Sequence, residues 1–259
     1  MNITIVGSGT CVPSLKRSTC SVLMEIAGEK LLFDTGAGTL RRLLELGVDF
    51  SAIPYIFYSH LHPDHTGEFC SFVFAMKYPE TYRRKIPFKI VAAKGFAGFY
   101  ERLKNAYGDW IELDPRLMEI IELNNHKADH RDFGTFRVDT LPMAHTEESI
   151  AYRITSLDGI SVVYSGDTDF CQNLIRLSKD ADLLICECAL PDQIKVPGHL
   201  TPSLAGQIAE EAGAKMLVLT HFYPECEEVD IAEQCRKSYS GKLILAEDCM
   251  RISLSQNSV

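Results

Sequence analysis

Ser59-His60-Leu61-His62-Pro63-Asp64-His65 places four metal-ligating side chains within six positions, directly behind the apolar run Tyr55–Tyr58. His60 and His62 stand two apart and can converge on one ion, whereas adjacent Asp64 and His65 point in different directions and can serve a second. The loop alone cannot complete two coordination shells, so further ligands must come from elsewhere in the chain. His145, Asp167 in Ser165-Gly166-Asp167-Thr168, and His221 each sit just past an apolar run, where strands deliver side chains to a shared site. Two divalent ions about 3.5–4 Å apart lower the pKa of bound water toward about 7 and neutralise charge on a transferring phosphoryl group. The chemistry is therefore hydrolysis, to which a phosphodiester is well suited. Asp64, ionised beside the metals, is placed to orient the attacking hydroxide.

Apolar runs rich in β-branched residues must position these groups. They recur at 3–6, 21–26, 31–33, 55–58, 88–92, 136–141, 151–155, 161–164, 183–186, 216–219 and 243–246, which makes the chain strand-heavy. Helices are punctuated between them: residues 39–46 close on Gly47, and 203–212 open with Thr201 as N-cap and Pro202 at the first helical position before stopping at Gly213. No Pro/Gly/Ser-rich linker divides the 259 residues, so residues 1–259 read as a single domain.

The composition is globular, with 46% hydrophobic and 24% charged residues, and it excludes disordered and coiled-coil classes. A net charge of −9 repels polyanions and anionic membrane surfaces as a whole. Nine irregularly spaced Cys point to reduced thiols, and with no signal-like N-terminus the expected localisation is cytoplasmic. One segment departs from the acidic average: residues 77–104 carry eight basic residues against Glu80 and Glu101. Tyr78, Tyr82, Phe88, Phe96, Phe99 and Tyr100 interleave with them, so local nucleic-acid contact stands beside the plainer reading of a solvated helix face with core aromatics. His126 and His130, four apart in polar surroundings, read as solvated, and Gly7-x-Gly9 lacks the third glycine of a dinucleotide fingerprint.

The order His-x-His-x-Asp-His, a distant His, a Gly-Asp and a last His resembles the metallo-β-lactamase superfamily at positions 60–65, 145, 167 and 221. The resemblance implies an α/β fold, a four-layer αββα sandwich of two facing mixed β-sheets with helices outside. It also implies two Zn2+ ions, with Mn2+ or Fe2+ as alternative occupants: His60, His62 and His145 would hold one, Asp64, His65 and His221 the other, and Asp167 would bridge. A closer likeness is to the ribonuclease Z branch, carried by Gly7-Ser8-Gly9-Thr10-Cys11-Val12-Pro13 with Arg17, by Phe33-Asp34-Thr35-Gly36-Ala37-Gly38-Thr39, by Ala181–Ala189, and by His199-Leu200-Thr201. His199 is then the candidate general acid for the leaving alkoxide, with Glu187 keeping its imidazole protonated. Asp34 is the candidate partner of a ligand His, fixing its tautomer.

Two departures bear on substrate. Enzymes of this branch that process tRNA carry a flexible arm between the third His and the bridging Asp, yet only 22 positions separate His145 from Asp167. The branch's Gly-Leu-Pro-Gly run is replaced by Gly67-Glu68-Phe69-Cys70-Ser71-Phe72. The expected function is a dinuclear zinc hydrolase of ribonuclease Z type cleaving a small or cyclic nucleotide phosphodiester. The alternatives are a tRNA 3′-processing endoribonuclease, or a carboxylic ester, lactone or thioester hydrolase on the same metals. Expected partners are a small phosphodiester or RNA substrate and a second copy of the chain in a homodimer, with no membrane.

Overall fold

The computed structural model describes residues 1–78, 80 and 83–255. Two seven-stranded mixed sheets dominate it. The first is built from β1 (Asn2–Gly7), β2 (Ser21–Ile26), β3 (Glu29–Phe33), β4 (Tyr55–Tyr58), β5 (Phe88–Ala93), β6 (Met118–Leu123) and β14 (Met250–Ser253) in the order β14-β1-β2-β3-β4-β5-β6. The second runs β13-β12-β11-β10-β9-β8-β7, from β7 (Asp129–Asp132), β8 (Phe136–Pro142), β9 (Ile150–Ser156), β10 (Ser161–Tyr164), β11 (Leu183–Glu187), β12 (Met216–Thr220) and β13 (Lys242–Leu245). Each sheet has three antiparallel and three parallel pairings in two blocks, which meet at β3/β4 in the first and at β10/β11 in the second.

Alternation along the strands explains the layering. Leu31, Phe33 and Phe57 join Tyr152, Ile154, Val162 and Tyr164 in the core between the sheets. Their neighbours Leu32, Ile56 and Tyr58 point the other way and pack on α1 (Thr39–Glu45), α3 (Phe69–Lys77) and α4 (Phe96–Tyr107) through Leu43, Phe69, Phe72, Phe96 and Tyr100. On the far side of the second sheet lie α5 (Gln172–Leu177), α6 (Pro202–Ala212) and α7 (Ile231–Arg236), with one short helix, α2 (Pro63–Thr66), inside the His-rich loop. This is the four-layer αββα sandwich.

The strongest punctuation is obeyed: α6 has Thr201 as N-cap, Pro202 at its start and Gly213 in a left-handed C-cap at φ 66°. Three strands, β6, β7 and β14, carry no signal of the kind expected from the sequence, and all three are sheet edges. His126 and His130 share no helix; His130 lies in β7 and His126 in the turn before it. No helix of the described residues is long and apolar enough to cross a membrane.

Candidate metal centre

The ligand-type side chains all leave the carboxyl ends of strands. β4 feeds His60, and β8 leads into His145. β10 leads into Asp167, β11 ends on Glu187, and His221 follows β12 directly. In α2, His62 is the N-cap and Pro63 opens the turn, which sends Asp64 and His65 to different sides. Two of the site residues sit in left-handed backbone without being glycine, Asp34 at φ 57° and His221 at φ 62°. Such positions cost on the order of 1–3 kcal/mol and persist where the surroundings hold them. Gly36 is required by close approach: a Cβ there would lie 2.0 Å from Thr19 Oγ1 and 2.2 Å from the Asp64 carbonyl oxygen.

Two separate clusters result, and Asp167, His199 and His221 form a third group that overlaps both. His60, His62, His145 and Asp167 bring one ligand atom each to within 4.8 Å of one another, and so do Asp64, His65 and His221. Asp167 stands between them with one oxygen for each. Its Oδ2 is 3.7 Å from His60 Nε2 and 3.8 Å from His145 Nε2, while Oδ1 is 3.2 Å from His65 Nε2 and 3.4 Å from His221 Nε2. Asp64 Oδ2 lies 3.5 Å from His221 Nε2.

The atoms in these clusters are acceptors turned toward acceptors. Asp34 Oδ2 accepts a hydrogen bond from His65 Nδ1 at 2.8 Å, so in the neutral ring Nε2 presents a lone pair to Asp167 and to His221 Nε2, 3.4 Å away. Ser59 Oγ donates to Asp34 and accepts from His60 Nδ1 at 3.1 Å, which likewise frees His60 Nε2. His145 Nδ1 donates to the Gly198 carbonyl at 2.8 Å, leaving its Nε2 3.1 Å from His62 Nδ1. His60 Nε2 and Asp167 Oδ1 are sealed from solvent without a hydrogen-bond partner. Converging lone pairs with orphaned buried polar atoms are what a cation would satisfy, and the imidazole and carboxylate donor set suits a divalent transition metal.

The same carboxylates draw a proton to the atoms that would face a cation. Burial opposes charge on His65, but Asp167 and Asp34 on either side outweigh it and hold its pKa well above the usual value. His60, buried against other imidazoles, is pushed well below. Burial also works against the Asp64 and Asp167 carboxylates, yet the surrounding histidines keep both below the ordinary range. The pocket is therefore negative and built for positive charge.

Beside the clusters, His199 Nδ1 is 3.0 Å from Glu187 Oε1 and 3.9 Å from Asp167 Oδ2. Burial lowers the His199 pKa, and the bond to Glu187 more than reverses that, so it lies above the ordinary value. Burial raises Glu187, which also accepts from the backbone N–H of Thr168 at 2.8 Å and Leu200 at 3.2 Å. No hydrogen bond among the described residues engages His199 Nε2.

Residues 1–239 match the family model described as Anti-Pycsar protein Apyc1. The chain belongs to that family. Within the wider superfamily, this Apyc1-family chain is 25% identical to the ribonuclease Z of Methanothermobacter thermautotrophicus over a 300-residue alignment covering 98% of this chain and 97% of the relative. Human tRNase Z, short form, superposes with a TM-score of 0.78 at 27% identity, over 98% of this chain and 100% of its own. The metallo-beta-lactamase fold protein YhfI from Bacillus subtilis gives 0.83 at 24% identity, covering 97% and 98%. The fold is that of the metallo-β-lactamases, and the chain is a metal-dependent hydrolase of ribonuclease Z-like type.

The basic segment of the Apyc1-family chain is mostly committed to its own structure. Arg84 is only 3% exposed; its guanidinium donates to the carbonyls of Ile86, Ser51, Ile53 and Pro87 and lies over the Phe88 ring. Arg83 and Lys85 pair with Glu80, Lys89 with Glu119 and Lys104 with Glu101. Phe88, Phe96 and Tyr100 are core residues, and Tyr82 lies outside the described residues. Sequence reasoning missed Ser59 and Tyr164, both of which donate to Asp34 Oδ2, at 2.7 and 2.6 Å. Tyr164 ends an apolar strand and reads as core, because nothing in its spacing reveals a hydroxyl aimed at a carboxylate 130 positions away.

Proposed function

We propose that the protein is a dinuclear zinc phosphodiesterase acting on a small or cyclic nucleotide phosphodiester in the cytoplasm. The observation that carries the substrate class is the stretch between His145 and Asp167, where β9, β10 and their connecting turn occupy residues 150–164 and leave no room for an arm that could grip a tRNA.

His60, His62 and His145 would hold one ion and Asp64, His65 and His221 the other, with Asp167 giving an oxygen to each. When bound, two such ions supply Lewis acidity and a hydroxide at neutral pH. Asp64 stays ionised and orients the attacking oxygen by accepting its hydrogen. A P–O bond forms as the bond to the leaving oxygen breaks, and His199 Nε2 gives its proton to that oxygen. Glu187 keeps the imidazolium in place by accepting from Nδ1, and water returns the proton to His199 after product leaves.

A turnover panel on zinc-loaded protein tests this reading, comparing bis(p-nitrophenyl) phosphate, cyclic nucleotides, pre-tRNA and a thioester. Cyclic nucleotide hydrolysis without pre-tRNA cleavage is expected. Salt-sensitive cleavage of pre-tRNA, or thioester turnover with every phosphodiester inert, overturns it.

A further inference from the structure

Away from the metal centre, a cleft of about 610 Å³ opens where α5 ends and the outer face of β7, β8 and β9 continues beyond it. Strand register stacks His130, Asp139 and Arg153 in one cross-strand row, with Arg137 on the same face of β8 two positions from Asp139. Arg176, in the last turn of α5, completes the lining.

The charges in this cleft do not cancel one another. Arg153 is half-buried, and its guanidinium hydrogen-bonds only neutral acceptors, the carbonyls of Leu177 at 2.9 Å and Lys179 at 2.6 Å and Ser161 Oγ at 3.0 Å; Asp139, Asp180 and Asp182 act on it from farther off, Asp182 being paired with Lys215 at 3.0 Å. Arg176 has no hydrogen bond or ion pair from its side chain among the described residues. Two carboxylates share the cleft, and both are in use. Asp139 accepts from His130 Nδ1 at 2.9 Å and from Arg137 Nε at 3.1 Å. Asp129 accepts from the backbone N–H groups of Asn124 and His130. What is left over is positive: two guanidiniums with no carboxylate in hydrogen-bond contact, and a third shared with Asp139.

We propose that this cleft binds a phosphate dianion, free or as the monoester of a small molecule, between Arg137, Arg153 and Arg176. A planar guanidinium offers parallel N–H donors that match phosphate oxygens, and three arginines line this one concavity. Arg153 is pre-positioned by its carbonyl partners, so little side-chain freedom is lost when it is engaged. The site is independent of the metal chemistry.

Calorimetric titration of inorganic phosphate, and separately of a nucleoside 5′-monophosphate, into metal-loaded protein tests the proposal. The comparison is wild type against the double variant Arg137→Gln/Arg176→Gln, whose two side chains are exposed. Wild type should show one more binding event than the variant, or that event should weaken by about tenfold per guanidinium removed. Turnover of bis(p-nitrophenyl) phosphate, which reports a folded and loaded enzyme, should stay the same. Inorganic phosphate binding as well as the monoester assigns the cleft to the free anion, and a clear monoester preference assigns it to a larger ligand. Identical isotherms for the two proteins with both probes, or no saturable event beyond the one abolished by chelator, overturn the proposal. Arg176→Glu is a second check, and it should abolish the event rather than weaken it.

Discussion

Asp34→Asn keeps the shape of a fully buried side chain and changes only its acceptor count. In the native protein Oδ2 accepts from Ser59 Oγ, His65 Nδ1 and Tyr164 OH, at 2.7, 2.8 and 2.6 Å, and Oδ1 accepts from the Ser59 backbone N–H at 2.8 Å. The asparagine amide does least harm with its oxygen at the Oδ2 position, which sets its NH2 against the Ser59 N–H. The Ser59 N–H and the amide's own N–H groups are then buried donors facing one another, at a cost of about 1–3 kcal/mol for each left unsatisfied. The three donors left at the oxygen meet a neutral acceptor in place of a carboxylate, so the bond that fixes the His65 tautomer is weakened. Losing the outer-shell partner of a metal-ligating histidine typically weakens metal affinity by about 10–100-fold. Two separate effects are thus expected: a stability loss of that size in chelator-treated protein, read by urea denaturation, and a zinc affinity lower by one to two orders of magnitude, read by competition with a chromogenic chelator. Tyr164→Phe removes one donor and leaves the carboxylate, so it should lie between wild type and Asp34→Asn in affinity. Zinc binding by Asp34→Asn within threefold of wild type would refute the claim that Asp34 positions His65 for a cation.

Other consequences follow from the same geometry. Dialysis against chelator should abolish hydrolysis and lower thermal stability, and zinc added back at 1,000 times its Kd should restore about 4 kcal/mol, measured by calorimetry. His199→Ala should slow an alkyl phosphodiester by about 10²–10⁴-fold while sparing p-nitrophenyl esters, whose leaving groups need no proton; equal loss on both would remove His199 as the acid. Glu187 raises the His199 pKa, and the acid form is lost as pH climbs through that raised value, so Glu187→Gln should move the alkaline limb of kcat to lower pH. Gly36→Ala forces a methyl against Thr19 and the Asp64 carbonyl, and should weaken zinc binding together with stability in a parallel titration and melt. Arg84→Ala should cost about 1–3 kcal/mol in denaturant unfolding for each of its four carbonyl partners that water does not reach, and a folded variant with unchanged stability would contradict its structural role.

The parts legible in the sequence are those where chemistry or burial restricts the residue choice. The His60–His65 loop announces itself because few roles other than metal ligation need that density of donors, and Thr201-Pro202 with Gly213 marks α6 because caps demand particular backbone angles. Three of the four edge strands escape, because charged side chains interrupt their apolar pattern. β7 reads Asp-His-Arg-Asp with no apolar residue, and β6 alternates Glu119 and Glu122 among half-buried aliphatics, charges that suit an unpaired border. Arg84 misleads in the opposite direction. A charge in a basic run reads as surface, and only the four carbonyls around it show that the chain has turned it inward.

The same topology explains why so scattered a ligand set is one site. The change from antiparallel to parallel pairing falls at β3/β4 in one sheet and at β10/β11 in the other, so the strands on either side of each change end side by side. Asp34 and His60 leave the first pair of ends, Asp167 and Glu187 the second, and His221 follows the next parallel strand. In open α/β sheets the crevice beyond such carboxyl ends is where ligands bind, since chains that turn away there leave their backbone and side chains facing a gap. Two matching sheets set face to face make two such crevices into one, each sheet giving part of every shell. Asp34 and His221, at ends in opposite sheets, both turn out of their strands through left-handed backbone, a cost that the contacts of the shared gap must hold in place.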